Sequence, residues 1–129
     1  MTDRIEKSRY DALMHDNDGR AFEQKVAGYF GQRGWPVVPR KTFAGCGEFD
    51  LYAKIPNTFS PDQYLLVECK DTVRVHAADI TRFQSKVEIF SGRHKEASIE
   101  SWFCYTGEIN LEAKKVAESH TLPINFKRF

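Results

Sequence analysis

Asp50, Glu68 and Lys70 are the residues whose types and spacing are equipped for chemistry. In Glu68-Cys69-Lys70 an extended backbone puts the carboxylate and the ammonium on one face, while Leu65, Val67 and Cys69 point the other way, into a core. Two carboxylates within a few ångström repel each other. A hard divalent cation with oxygen ligands most simply stabilises such a pair, and Mg²⁺ typically takes one or two carboxylates plus waters and a substrate phosphate. A cation held there lowers the pKa of a bound water and polarises a phosphoryl oxygen. A lysine beside it can orient or deprotonate that water and stabilise charge on a pentavalent phosphorus. These residues have the layout of a phosphodiesterase.

Such a layout needs elements that bring Asp50 to Glu68. From Glu48 to Ile55 the chain alternates, with Glu48, Asp50, Tyr52 and Lys54 on one face and Phe49, Leu51, Ala53 and Ile55 on an apolar one. Residues 56 to 62 carry prolines and turn formers, and Gln63 to Lys70 reads as a mostly buried strand, so a hairpin is expected. With Phe59 at its midpoint, antiparallel partners have numbers summing to 118, the sum of 50 and 68. Asp50 is therefore expected opposite Glu68 or close to it.

Around the hairpin, Phe22, Val26, Tyr29 and Phe30 recur at helical spacing from Arg20 onward, with Gly34 as a stop. Trp35 to Val38 reads as a strand beginning beside a proline, and Ala44 to Gly47 as a loop. Ile80, Phe83, Val87 and Phe90 form one stripe of a helix over Ala77 to Phe90 that ends at Ser91-Gly92. A strand over Ile99 to Tyr105, a helix over Leu111 to His120 and a strand over Ile124 to Lys127 complete the order α-β-β-β-α-β-α-β. Strands alternating with helices imply an α/β sandwich with a mixed sheet. Residues 1 to 18 read as a short helix or linker, and 19 to 129 as one domain.

Composition agrees with a single globular domain: 129 residues, 41% apolar, 29% charged, and no apolar run near the roughly 20 residues a membrane span needs. The stretch Met1 to Lys7 has no apolar signal segment, so a cytoplasmic location is expected. Cys46, Cys69 and Cys104 are odd in number and far apart, which argues against a disulfide framework and a zinc site. The net charge of +1 divides into −2 over residues 1 to 18 and +3 over the remainder, weak support for an anionic partner.

At this point the sequence resembles a family. Asp50 followed by Glu68-x-Lys70 is similar to the motif of the PD-(D/E)xK nuclease superfamily, with its restriction-endonuclease-like fold. Gly45-Cys46-Gly47-Glu48-Phe49-Asp50-Leu51 and Leu66-Val67-Glu68-Cys69-Lys70 look most like Mrr-type restriction endonucleases. Phe49 stands where the motif's name has proline. The resemblance spans about residues 19 to 128. It implies a three-layer α/β/α sandwich with a central mixed sheet and a Mg²⁺-dependent DNA endonuclease activity, with Mn²⁺ as a substitute. It further implies that Asp50, Glu68 and the Cys69 backbone carbonyl are metal ligands and that Lys70 is the catalytic lysine. Glu23 on the first helix would support the metal, and Gln84 on the helix after the lysine would point into the site. Enzymes of this class often act as homodimers, though no segment here identifies an interface.

Other readings stand beside these. Glu68 and Lys70 form an edge-strand charge pair in the plainest alternative, and the runner-up function is a catalytically inactive DNA-binding or assembly module of the same fold. Glu48 is either a further ligand or a solvated carboxylate at the mouth. Arg74, Arg82 and Lys86, with Arg93 and Lys95 near them, are either DNA-backbone contacts or ordinary solvated charge. His15, His76, His94 and His120 lack ligand spacing and read as surface groups, although His76 is close enough after Lys70 to reach a phosphate. The Cys69 thiol is expected in the core.

Overall fold

The computed structural model describes residues 18–119 and 122–129, so the expected helix or linker over 1–18 falls, but for its last residue, outside the described residues. Helix α1 (Asp18–Gly31) buries Phe22, Val26 and Phe30, one residue per helical turn, and Gly34 at φ +93° turns the chain out of it. The strand expected at Trp35 is displaced. The Val37 N–H bonds the Trp35 carbonyl in a turn, and β1 runs over Val38–Phe43. Pro36 has no N–H with which to start a ladder. Strands β2 (Gly47–Ile55) and β3 (Gln63–Lys70) follow, then helix α2 (Ala77–Arg93), β5 (Ser98–Tyr105), helix α3 (Leu111–Ser119) and β7 (Asn125–Arg128). Two strands of two residues, β4 (Arg74–Val75) and β6 (Glu108–Ile109), pair parallel with each other and are too short for a periodic signal in sequence.

The central sheet has five strands in the order β1-β2-β3-β5-β7. The β1/β2 and β2/β3 pairs are antiparallel, and β3/β5 and β5/β7 are parallel, so the sheet is mixed. Helix α1 covers one face through Phe22, Val26 and Phe30 on Leu51, Ala53, Leu65 and Val67. Helices α2 and α3 cover the other, where Ile80, Phe83, Val87, Phe90 and Ala113 pack on Phe49, Tyr64, Leu66 and Phe103. This is a three-layer α/β/α sandwich. Because both faces are covered, the hairpin strands are not apolar on one side only. Phe49 joins the core under α2, and Leu51 and Ala53 join the core under α1. A regular strand would put Phe49 and Leu51 on the same face, so β2 changes phase at Asp50. Among the described residues, no helix is long and apolar enough to cross a membrane.

Candidate functional site

The hairpin register is the one its turn composition implies. Leu51 pairs with Val67 and Ile55 with Gln63, and both sums are 118. The ladder stops at Leu51, one residue short of Asp50. On the other side of β2, the β1 ladder runs through Pro39↔Leu51 and resumes at Lys41↔Phe49, passing over Arg40 and Asp50. Arg40 has φ +54°, and its Nε lies 3.5 Å from the Glu23 carboxylate on α1. Asp50 is thus free of pairing on both flanks, and its Oδ2 accepts the Cys69 backbone N–H at 2.8 Å. The end of β3 is held by a side chain of β2 in place of the next ladder bond.

Here the carboxylates converge. Burial, then the neighbouring Asp50 carboxylate, push Glu68 up to about 7 against the pull of Lys86 and Lys70. Burial also raises Asp50, with Glu48 adding to it and the Cys69 N–H and Lys86 opposing it. Glu23 is raised by burial and by Asp50, with Arg40 opposing. Asp50 on β2 thus acts electrostatically on Glu23 of α1 and on Glu68 of β3.

Glu68 and Lys70 are not an edge-strand pair, because β3 is the middle strand of five and each of the two residues is engaged by α2. Lys86 Nζ lies 3.0 Å from Glu68 Oε1, and Lys70 Nζ lies 3.3 Å from Asp79 Oδ1. Strand and helix each contribute one acid and one base, joined crosswise. Asp79 also accepts the His76 N–H at 2.9 Å, closing the first turn of α2, and Arg82 Nη2 at 2.8 Å. Burial would raise Asp79, but these donors and Lys70 outweigh it and hold it below the usual carboxylate range.

Lys86 is the residue whose place was not legible. Read as a surface phosphate contact, it is instead turned inward, its side chain only 18% exposed, and its Nζ also donates to the Glu48 carbonyl at 2.6 Å. Lys86 shares a helical stripe with Asp79 and Phe83, but spacing alone does not say which stripe of α2 faces the carboxylates; in the structure the glycines of the 45–47 turn leave room for its stem. A Cβ on Gly47, at φ +132°, would stand 2.8 Å from Lys86 Cδ, and one on Gly45 would stand 2.8 Å from Arg93 Nη2. Gln84 is the opposite case. It is buried on a different stripe, and its Nε2 donates to the Val116 carbonyl of α3 at 3.3 Å. Its amide is a tie between helices, on the stripe of Ile80 and Val87. Arg74 is exposed on β4, and Arg82 projects from α2 with its side chain 68% exposed. Glu48 takes a 3.4 Å bond from the Thr42 hydroxyl at the surface. His94 stacks on Phe90 at 4.0 Å and His76 stands at the start of α2. Burial raises the Cys69 thiol far above its ordinary value, so it is a packing group and not a nucleophile.

Two half-buried carboxylates with raised affinity for protons offer a divalent cation hard oxygen ligands, and a cation, the Lys86 ammonium, already stands on one of them. Among the described residues no three His, Cys, Asp or Glu side chains form a metal cluster. The fit is to an ion that completes its shell with water and phosphate oxygens, as Mg²⁺ does.

No protein-family profile and no curated protein matches the chain by sequence. Two solved structures match it in fold. The protein of unknown function AF1548 superposes with a TM-score of 0.60 at 17% identity over 81% of this chain and 54% of its own. The apo form of EndoMS superposes with a TM-score of 0.51 at 14% identity over 83% of this chain and 45% of its own. The chain thus spans about half the length of each. At these identities the likeness is one of fold, and the fold is one that a nuclease, EndoMS, also uses.

Proposed function

We propose that this chain is a metal-dependent DNA endonuclease of the PD-(D/E)xK type, most like the Mrr-type enzymes, that hydrolyses phosphodiester bonds through an activated water. The observation that carries this reading is the Asp50 carboxylate held 2.8 Å from the Cys69 N–H, next to Glu68, where both ladders of β2 give way. The likeness in fold to a nuclease supports it.

Asp50 and Glu68 would hold Mg²⁺ or Mn²⁺, with the Cys69 carbonyl completing the protein's share. The ion would supply a polarised water and neutralise charge at the scissile phosphate. The protein's own residues do the remainder. Asp50, fixed by the Cys69 N–H, keeps its carboxylate aimed at the end of β3. Glu23 adds negative charge from α1 and is itself oriented by Arg40. Lys70, partly exposed beside Asp79, presents an ammonium to the scissile phosphate and stabilises the charge that develops on it. Arg74 and Arg82 stand on the surface for the flanking DNA backbone.

The test is incubation with plasmid, linear, single-stranded and branched DNA in Mg²⁺ or Mn²⁺, with Asp50→Asn and Lys70→Ala as controls. Asp50→Asn is expected to lose metal affinity and cleavage together. Lys70→Ala is expected to keep metal binding and lose cleavage by about a hundredfold or more. Cleavage surviving both substitutions would remove the activity from this site. A second reading, an inactive DNA-binding module, is favoured by the ion pairs that already engage Lys70 and Lys86. Wild type that binds DNA without binding Mg²⁺ or cutting would establish it.

A further inference from the structure

Lys86 is built into the carboxylate cluster more firmly than an ordinary surface lysine. Its stem passes over the Phe49 ring, with Nζ 5.4 Å from the ring centre, and through the gap that Gly47 leaves by lacking a Cβ. Its head is fixed by two acceptors, the Glu48 carbonyl and Glu68 Oε1. It lowers the proton affinity of both Asp50 and Glu68, so its charge acts on the pair and not on one partner. The backbone beneath it is tied down as well, because the Cys46 thiol donates to the Lys86 carbonyl at 3.3 Å.

We propose that Lys86 is a tethered competitor for the divalent cation: its ammonium occupies Glu68, beside Asp50, until a metal displaces it. This inference rests on the metal-binding reading given above. Two like charges cannot share Glu68 at 3 Å without strong repulsion in a poorly solvated site, so the ion and the ammonium exclude each other there. The exchange needs only side-chain motion. The displaced ammonium keeps the Glu48 carbonyl as an acceptor, and the four-carbon stem can swing its head toward the solvent side. The device keeps half-buried carboxylates compensated in the metal-free protein and sets a threshold for metal entry.

The test is calorimetric titration of Mn²⁺ into wild type, Lys86→Met, Lys86→Gln and Lys86→Arg, each checked for folding by circular dichroism and thermal melting. Competition predicts that the two neutral variants melt lower and yet bind Mn²⁺ about tenfold or more tightly than wild type, with Lys86→Arg returning toward wild-type affinity. A lysine with only a structural role predicts lower melting with equal or weaker Mn²⁺ binding, and that result would overturn the proposal. Lys86→Gln retains a donor for the Glu48 carbonyl and serves if Lys86→Met does not fold. Adding Asp50→Asn to the neutral variant should abolish the gained affinity; if it does not, the ion binds elsewhere and the proposal fails. Mn²⁺ binding by neither wild type nor the neutral variants would sink the metal reading itself, whereas binding that is equal in all of them would sink the competition alone.

Discussion

The Asp50 carboxylate and the Cys69 N–H, joined at 2.8 Å, replace the ladder bond that the hairpin would otherwise make beyond Leu51↔Val67. One oxygen of Asp50 is thereby used to hold the strand that carries Glu68 and Lys70, and the other is left for chemistry. The fold and the site are coupled through a single side chain.

That double role separates two substitutions. Asp50→Asn keeps an oxygen that can accept from Cys69, so its melting temperature should stay near that of wild type while Mn²⁺ affinity is lost. Asp50→Ala leaves the Cys69 N–H without its acceptor and should cost about 1–2 kcal/mol in addition. Urea unfolding and calorimetry on both variants read the two effects independently. Equal stability of the two would mean that the Cys69 bond contributes nothing.

Much of this arrangement was legible in the sequence because it depends on local rules. Alternation and turn composition were enough for the register of β2 with β3, and helical spacing found the stripes of α1 and α2. What was not legible depends on tertiary partners. A strand's own alternation does not show that Asp50 interrupts it, since the phase change between Phe49 and Leu51 falls where the neighbouring strand carries Arg40 at positive φ beside Glu23 and the ladder skips a pair. Lys86 and Gln84 sit two residues apart on one helix, nearly opposite each other around its axis, and which of them faces the carboxylates depends on how α2 is rotated against the sheet, an angle about its own axis. Periodicity leaves that angle open.

The raised proton affinity of Glu68 has a consequence for stability. Its pKa in the folded chain, about 7, lies above the ordinary 4.5, so the folded state holds a proton that the unfolded state releases. That contribution is complete below about pH 4.5 and disappears as pH rises through about 7. Between pH 5 and pH 8, wild type should lose roughly 2 kcal/mol more stability than Glu68→Gln, which has no proton to lose. Asp79, held below the usual carboxylate range, does not titrate in that window. Urea midpoints at the two pH values test this, and parallel losses in both proteins would refute it.

Gly47 is the position where backbone and site meet. At φ +132° an alanine is strained, and its Cβ would press on the Lys86 stem at 2.8 Å. Gly47→Ala should destabilise the fold by about 1–3 kcal/mol. Thermal unfolding at matched pH is the measurement, and a change within a few tenths of a kcal/mol would show that the turn relaxes freely.

Gln84 gives a contrast between a buried polar tie and a site residue. Its Nε2 reaches the Val116 carbonyl on α3, so Gln84→Ala should loosen the α2–α3 contact and cost about 1–2 kcal/mol. Metal binding and cleavage should be unchanged once the folded fraction is accounted for. A specific loss of cleavage at full folding would return Gln84 to the site.

The exposed cations divide by what already holds them. Arg74 faces solvent, and Arg82, though paired with Asp79, keeps most of its side chain exposed, so both can neutralise DNA phosphates, whereas Lys86 is committed to Glu68 and the Glu48 carbonyl. In EDTA, where no divalent ion competes, the slope of log affinity against log salt should fall by about 2 for Arg74→Ala with Arg82→Ala, close to one per phosphate contact. Lys86→Gln should leave that slope as in wild type. Fluorescence anisotropy on a labelled duplex from low to moderate salt measures both. A slope that changes with Lys86 and not with the two arginines would mean that the carboxylate cluster opens onto DNA without metal, and an unchanged slope in every variant would move the basic surface toward Lys127 and Arg128 on β7.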